Sequence, residues 1–197
     1  MSDMRRTVIP IMLLGDSQVG KTSLILRFVH NKCPKEHDPT VEDPYEVDVK
    51  LKSGENYTIK LLDTAGEEDY QNMFDSWINQ SKGFILVFAI NDLESFNYLA
   101  TVTTRLKKHE VLDFPIVVIG NKSDLENKRQ VPTQQAKQFA LSINAKAKYF
   151  ETTALNEHDK NVKAAFEECA NMVAGESGDN DKNGNFWDSC CRSCSIF

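Results

Sequence analysis

A chain of 197 residues has room for one ordinary domain and a tail, and 41% hydrophobic with 26% charged residues is the mixture of a folded globular chain. A net charge of −6 argues against a general nucleic-acid binder held by a basic surface. The apolar runs, such as Phe84–Ile90, are too short to span a bilayer. Met1–Arg6 lacks a signal peptide's apolar stretch, and Ser2 stands where myristoylation needs glycine, so the N-terminal end predicts a cytosolic chain.

Thr7–Leu14 is an apolar run closed by Gly15 and reads as a buried strand. Lys21–His30 sets Leu24, Ile25, Phe28 and Val29 on one helical face. Residues 32–43 are polar, and Pro34 and Pro39 oppose any regular element. Tyr45, Val47, Val49 and Leu51 then alternate with polar residues, Ser53-Gly54 turns the chain, and Tyr57–Leu62 returns it. This predicts an antiparallel hairpin at a sheet edge. Gly83–Ile90 and Pro115–Gly120 are continuously apolar, as central parallel strands are. Between them lies a helix carrying Phe96, Leu99, Val102 and Leu106. Pro132 opens a helix with Ala136, Phe139, Ala140 and Ile143, followed by a short strand near Lys148–Glu151. A last helix carries Val162, Phe166, Cys169 and Val173, and from Gly175 the composition turns to Gly, Ser, Asn and Asp. Alternating strands and helices predict an α/β fold with a mostly parallel sheet, ending near residue 174.

Three motifs carry chemistry. Gly15-Asp16-Ser17-Gln18-Val19-Gly20-Lys21-Thr22 is a complete GxxxxGK[ST] between a strand and a helix. Its glycines let successive N–H groups face a phosphate at a helix N-terminus, Lys21 brings charge to the β- and γ-phosphates, and the Thr22 hydroxyl is a magnesium ligand. Asp63-Thr64-Ala65-Gly66 ends an apolar strand. There Asp63 can hold magnesium through water, and the Gly66 N–H can meet a γ-phosphate. Asn121-Lys122-Ser123-Asp124 follows the strand Pro115–Gly120. Guanine presents N1–H and its 2-amino group side by side, and the Asp124 carboxylate can accept both. Adenine offers no such pair, and polar pairing of this kind discriminates by roughly 10⁴ or more.

With these motifs in this order, residues 5–174 resemble the Ras-like small GTPases, in the Ras and Rap branch. The resemblance implies a three-layer P-loop G domain over 1–174: a six-stranded, mostly parallel sheet with one antiparallel edge strand and helices on both faces. Asp38-Pro39-Thr40-Val41-Glu42-Asp43-Pro44-Tyr45 looks like switch I and Asp63–Tyr70 like switch II, whose GTP-dependent ordering over 34–45 and 63–77 would control partner binding. Glu151-Thr152-Thr153-Ala154 resembles the last guanine loop, where the Ala154 N–H would meet the base oxygen. By the same resemblance Thr40 would bind magnesium and the γ-phosphate, and Lys122 would pack along the base.

The implied nucleotide-binding set is Gly15, Asp16, Ser17, Gln18, Val19, Gly20, Lys21, Thr22, Ser23, Thr40, Gly66, Asn121, Lys122, Asp124, Leu125, Thr153, Ala154 and Leu155. Magnesium would rest on Thr22, Thr40 and Asp63, and hydrolysis of GTP to GDP and phosphate on Glu67, Lys21, Thr40 and Gly66. The implied partners are effectors through residues 37–45, GTPase-activating proteins and exchange proteins, with no nucleic acid and a monomeric state.

The sequence departs from the family's pattern at several positions. Glu67 stands where the family usually has the glutamine that orients water, keeping an acceptor but losing the amide donor. Cys33 replaces a phenylalanine packed edge-on against guanine, and aromatic packing on a base is worth about 1–3 kcal/mol in other systems. Ser17 and Gln18 replace small glycines and crowd the entry of a partner's arginine, and Leu155 follows Ala154 where a lysine ending is usual. Two readings stay open: a hydrolysing switch, or a Ras-like binding module with fast exchange or impaired hydrolysis. A P-loop kinase or ATPase is opposed by Asp124.

The tail adds an anchor. Cys194-Ser195-Ile196-Phe197 is a CaaX pattern whose final Phe favours geranylgeranylation. One lipid holds a membrane only marginally, so a second signal is expected. Residues 175–197 carry Glu176, Asp179, Asp181 and Asp188 against Lys182 and Arg192, a net −2. No polybasic segment is available, and Cys190 and Cys191 are the palmitoylation candidates. The expected location is the cytoplasmic face of the plasma membrane or an internal membrane.

Overall fold

In a computed structural model of the chain, which describes residues 7–32, 44–63 and 71–181, Thr7–Leu14 forms β1 and Lys21–His30 forms α1. Pro44–Lys50 (β2) and Asn56–Leu62 (β3) make the expected hairpin, with the chain turning at Lys52–Gly54. Gln71–Gln80 is α2, Gly83–Ala89 β4 and Leu93–Lys108 α3. Ile116–Asn121 is β5, Thr133–Ile143 α4, Lys148–Glu151 β6 and Lys160–Asp181 α5, with a 3₁₀ segment at Ser123–Lys128.

The six strands form one sheet in the order β2-β3-β1-β4-β5-β6. Only the β2–β3 pairing is antiparallel, and β2 is an edge strand as the hairpin reading requires. Parallel central strands must be covered on both faces, and period-two alternation divides their side chains accordingly. Ile11 and Leu13 of β1, Ile85 and Val87 of β4, and Val117 and Ile119 of β5 join α1 and α5 in one core. Met12, Leu14, Phe84, Leu86, Phe88, Ile116 and Val118 face α2, α3 and α4 in the other. In the first core the rings of Phe28 and Phe166 stack at 4.6 Å, fastening α1 to α5. In the second, Phe96 meets both Phe88 and Phe139 edge-on.

Two differences from the sequence reading are structural. The expectation placed no element between Asp63 and Gly83, yet α2 lies there and buries Ile78 completely. The i, i+3, i+4 spacing of Phe74, Trp77 and Ile78 was the available signal. Helix α5 continues through Asp181, seven residues past the expected boundary at 174, where composition alone suggested tail. Elsewhere the bounds shift by a residue: β4 stops at Ala89, and β5 includes Asn121.

Candidate functional site

The C-terminal ends of β1, β3, β5 and β6 converge, as ligand sites of open α/β sheets do. After β1 the chain turns through Gly15, whose φ of 152° no side chain favours, and a Cβ there would lie 2.1 Å from the Val87 carbonyl oxygen. Gly20, at φ 96°, opens α1, and a Cβ there would lie 2.5 Å from Nδ2 of Asn121. Backbone without side chains at these two points leaves a cradle of main-chain N–H groups at a helix N-terminus. Gln18 is also left-handed, at φ 58°, so the loop takes this curl even where the residue is not glycine. Ser17 and Gln18 are both exposed, and the Ser17 N–H donates to the Asp16 carboxylate at 2.7 Å.

Lys21 lies within this cradle, 6% exposed. Its Nζ donates to the carbonyls of Gly15 at 2.9 Å and Asp16 at 2.7 Å. Burial lowers its pKa to about 8, against the opposing charges of Asp63 and Asp16. Asp63, at the end of β3, is 2% exposed, and neither carboxylate oxygen has a well-formed hydrogen bond among the described residues. Desolvation pushes its pKa up, while the neighbouring Thr22 hydroxyl and the Lys21 charge hold it down. A buried carboxylate short of partners beside a hydroxyl is a donor set fitted to a hard cation such as Mg²⁺.

The base side is held by side-chain hydrogen bonds. Asn121 Nδ2 donates to the Val19 carbonyl at 2.8 Å, joining the loop after β5 to the phosphate loop. Thr152 Oγ1 donates to Asn121 Oδ1 at 3.2 Å, and the Ser123 N–H donates to the Thr152 carbonyl at 3.0 Å. Thr153 Oγ1 donates to Asp124 Oδ1 at 2.5 Å, holding that carboxylate by one oxygen. Lys122 is left-handed at φ 63° and begins the 3₁₀ segment, inside which Leu125 departs from helical geometry. Ala154 is buried and Leu155 exposed. Ser23 lies in the first turn of α1.

The structure thus brings together Gly15–Thr22, Asp63, Asn121, Asp124 and Thr153–Leu155. Cys33, Thr40, Gly66, Glu67, Cys190, Cys191 and Cys194 lie outside the described residues. Sequence reasoning passed over Arg27, whose Nε donates to the Ala154 carbonyl at 2.8 Å, and Asp159, which accepts from the Thr153 N–H at 2.7 Å. Arg27 was detectable, because a charged residue three positions after Leu24 falls on α1's inward face.

Comparison with known proteins agrees with this arrangement. The family model described as "Ras family" matches residues 10–175. Human Ras-related protein R-Ras is 38% identical over 166 residues, covering 83% of this chain and 73% of R-Ras. Rat Ras-related protein Ral-B is 35% identical over 193 residues, covering 92% and 91%, and Ras-like protein rasC of Dictyostelium discoideum is 36% identical over 161, covering 81% and 82%. The fold and site are those of a P-loop GTPase. The chain belongs to the Ras family of small GTPases, GTP-binding switches that hydrolyse GTP.

Proposed function

We propose that this protein signals from a membrane surface by cycling between GTP and GDP, with its own residues in the following roles. The join of the two loops through Asn121, with Asp124 held by Thr153, is the observation that supports this reading most. It sets a guanine-accepting carboxylate at a fixed distance from a phosphate cradle. In this reading the loop N–H groups of Gly15–Ser23 and the Lys21 ammonium bind the phosphates. Asp124 accepts from N1–H and the 2-amino group, the Ala154 N–H donates to the base oxygen, and Lys122 covers one face of the ring. Leu125, Thr153 and Leu155 complete the base pocket through their backbone.

The residues present fit magnesium. Thr22, Thr40 and Asp63 would hold it, and bound there it supplies positive charge against the triphosphate. Gly66 presents an N–H to the γ-phosphate, and the Glu67 carboxylate orients or deprotonates the attacking water. Intrinsic hydrolysis in this class is slow, so a GTPase-activating protein is expected to act with an exchange factor, and effectors engage residues 37–45 in the GTP form. No helix among the described residues is long and apolar enough to cross a membrane. Attachment in this reading comes from a prenyl group on Cys194 with acyl groups on Cys190 and Cys191.

Two measurements test the proposal. Single-turnover hydrolysis of bound GTP should show slow phosphate release, whereas retention of GTP without hydrolysis would favour a pure binding module, the outcome that Glu67 favours. Cys194→Ser should make the protein fully soluble, and double replacement of Cys190 and Cys191 by Ser should leave only transient membrane association. A double variant held as firmly as the wild type would overturn the two-signal anchor.

A further inference from the structure

Arg27 is 8% exposed, and α1 turns it inward beside Leu24 and Ile25. A guanidinium carries several donors and a permanent charge, and out of water these need acceptors. Carboxylates do not supply them: among the described residues Arg27 forms no ion pair. Nε donates to the Ala154 carbonyl at 2.8 Å, and Nη2 reaches the Leu155 carbonyl at 3.5 Å. Nη1 donates to the Asn31 carbonyl at 2.8 Å and reaches Asn31 Oδ1 at 3.4 Å. Arg27 therefore connects the end of α1 to a loop more than 120 residues later in the chain.

That loop has its donors committed, with one exception. The Thr152 N–H goes to the Gly120 carbonyl at 3.0 Å, and the Thr153 N–H goes to Asp159 at 2.7 Å. The Leu155 N–H goes to Thr153 Oγ1 at 3.3 Å. Among the described residues nothing accepts from the Ala154 N–H. Peptide planes are rigid, so holding the carbonyls of Ala154 and Leu155 on one side, with Thr153 tied to Asp124 and Asp159 on the other, leaves that N–H little freedom to turn.

We propose that Arg27 is a positioning residue for base recognition: by gripping the Ala154 and Leu155 carbonyls it keeps the Ala154 N–H on the purine 6-oxygen and lengthens the residence of the nucleotide. The inference rests on the reading that the Ala154 N–H faces the base oxygen. Arg27 itself touches no part of the ligand. Its effect passes through one backbone donor, and this separates it from a residue that merely supports the fold.

The test uses the full chain loaded with GDP or with 6-thio-GDP. The thio analogue keeps the N1–H and 2-amino donors that face Asp124 but replaces the oxygen with a poor acceptor. Wild-type protein should release 6-thio-GDP faster than GDP. Arg27→Ala should speed GDP release about tenfold, the worth of one well-placed hydrogen bond, and 6-thio-GDP release less than about twofold. Arg27→Lys keeps a donor and the stem, so it should show the same pattern at smaller size, and it carries the test if the alanine variant does not fold. Equal acceleration of both ligands, or none, would overturn the inference. A wild type that binds both ligands tightly and releases them at one rate would instead overturn the placement of Ala154, and one that holds neither would overturn the nucleotide reading itself.

Discussion

The two ends of the site are built differently. At the base end each polar side chain that shapes the pocket already has a partner: Asn121 on Val19, Thr152 on Asn121, Thr153 on Asp124, Arg27 on Ala154. At the phosphate end a buried ammonium rests on its own loop's carbonyls, and a buried carboxylate lacks well-formed hydrogen bonds among the described residues. The base pocket is preorganised, so its recognition spends little on ordering. The phosphate and metal pocket stores unfavourable desolvation that a ligand relieves, so binding there should couple strongly to stability. Selectivity belongs to the first region and ligand-dependent stability to the second.

The largest expected effect breaks the base end. Asp124→Asn exchanges one accepting oxygen for a donor, so GDP affinity should fall by about 10²-fold or more while xanthosine diphosphate gains, since xanthine presents an acceptor where guanine has its 2-amino group. Competition binding with both nucleotides reads the change. Unaltered GDP affinity would contradict the assignment of Asp124.

The next breaks the phosphate end, with the opposite sign on stability. Asp63→Asn removes a charge that burial disfavours, so the nucleotide-free, metal-free protein should gain about 1–3 kcal/mol, while the gain in melting temperature on adding GDP and Mg²⁺ should shrink. The pH dependence follows from linkage. The folded-state pKa of Asp63 lies above its unfolded value, so the folded protein binds more protons between the two. Stability without ligand should therefore fall as pH rises through that window, and Asn at this position should flatten the fall. Thermal melts with and without chelator at several pH values would show it, and a destabilised Asn variant in the absence of ligand would contradict the account.

A smaller effect sharpens the comparison from outside the described residues. Cys33→Phe should restore an aromatic face to the base and slow GDP release by up to about tenfold. No change in the off-rate would mean that Lys122 already covers that face.

The sheet was legible because burial on both faces leaves continuous apolar strands, and Gly83–Ala89 and Ile116–Asn121 are recognisable for that reason alone. The phosphate loop was legible because its conformation demands glycine at Gly15 and Gly20. Helix α2 was harder to see, since its apolar spacing rests on three residues set among polar ones. The roles of Arg27 and Asp159 were not legible either. Each acts on main-chain groups far away in sequence or across a turn, and a carbonyl acceptor or an N–H donor leaves no residue-type signature at its own position.

The same reliance on main-chain groups yields the smallest effect. Leu155 stands where the family usually ends this loop in lysine, and its side chain is 69% exposed. Its hydrogen bonds are main-chain: the N–H donates to Thr153 Oγ1, and the carbonyl lies within reach of Arg27. Leu155→Lys keeps both groups, so stability should change by no more than about 0.5 kcal/mol and GDP release by less than about twofold. Replacing the same residue with proline removes the N–H that Thr153 accepts, and should speed release more than the lysine change does. Stopped-flow displacement of a fluorescent GDP measures both variants. If lysine proves the more disruptive of the two, the side chain governs this position, and the base end is not held by its backbone as argued.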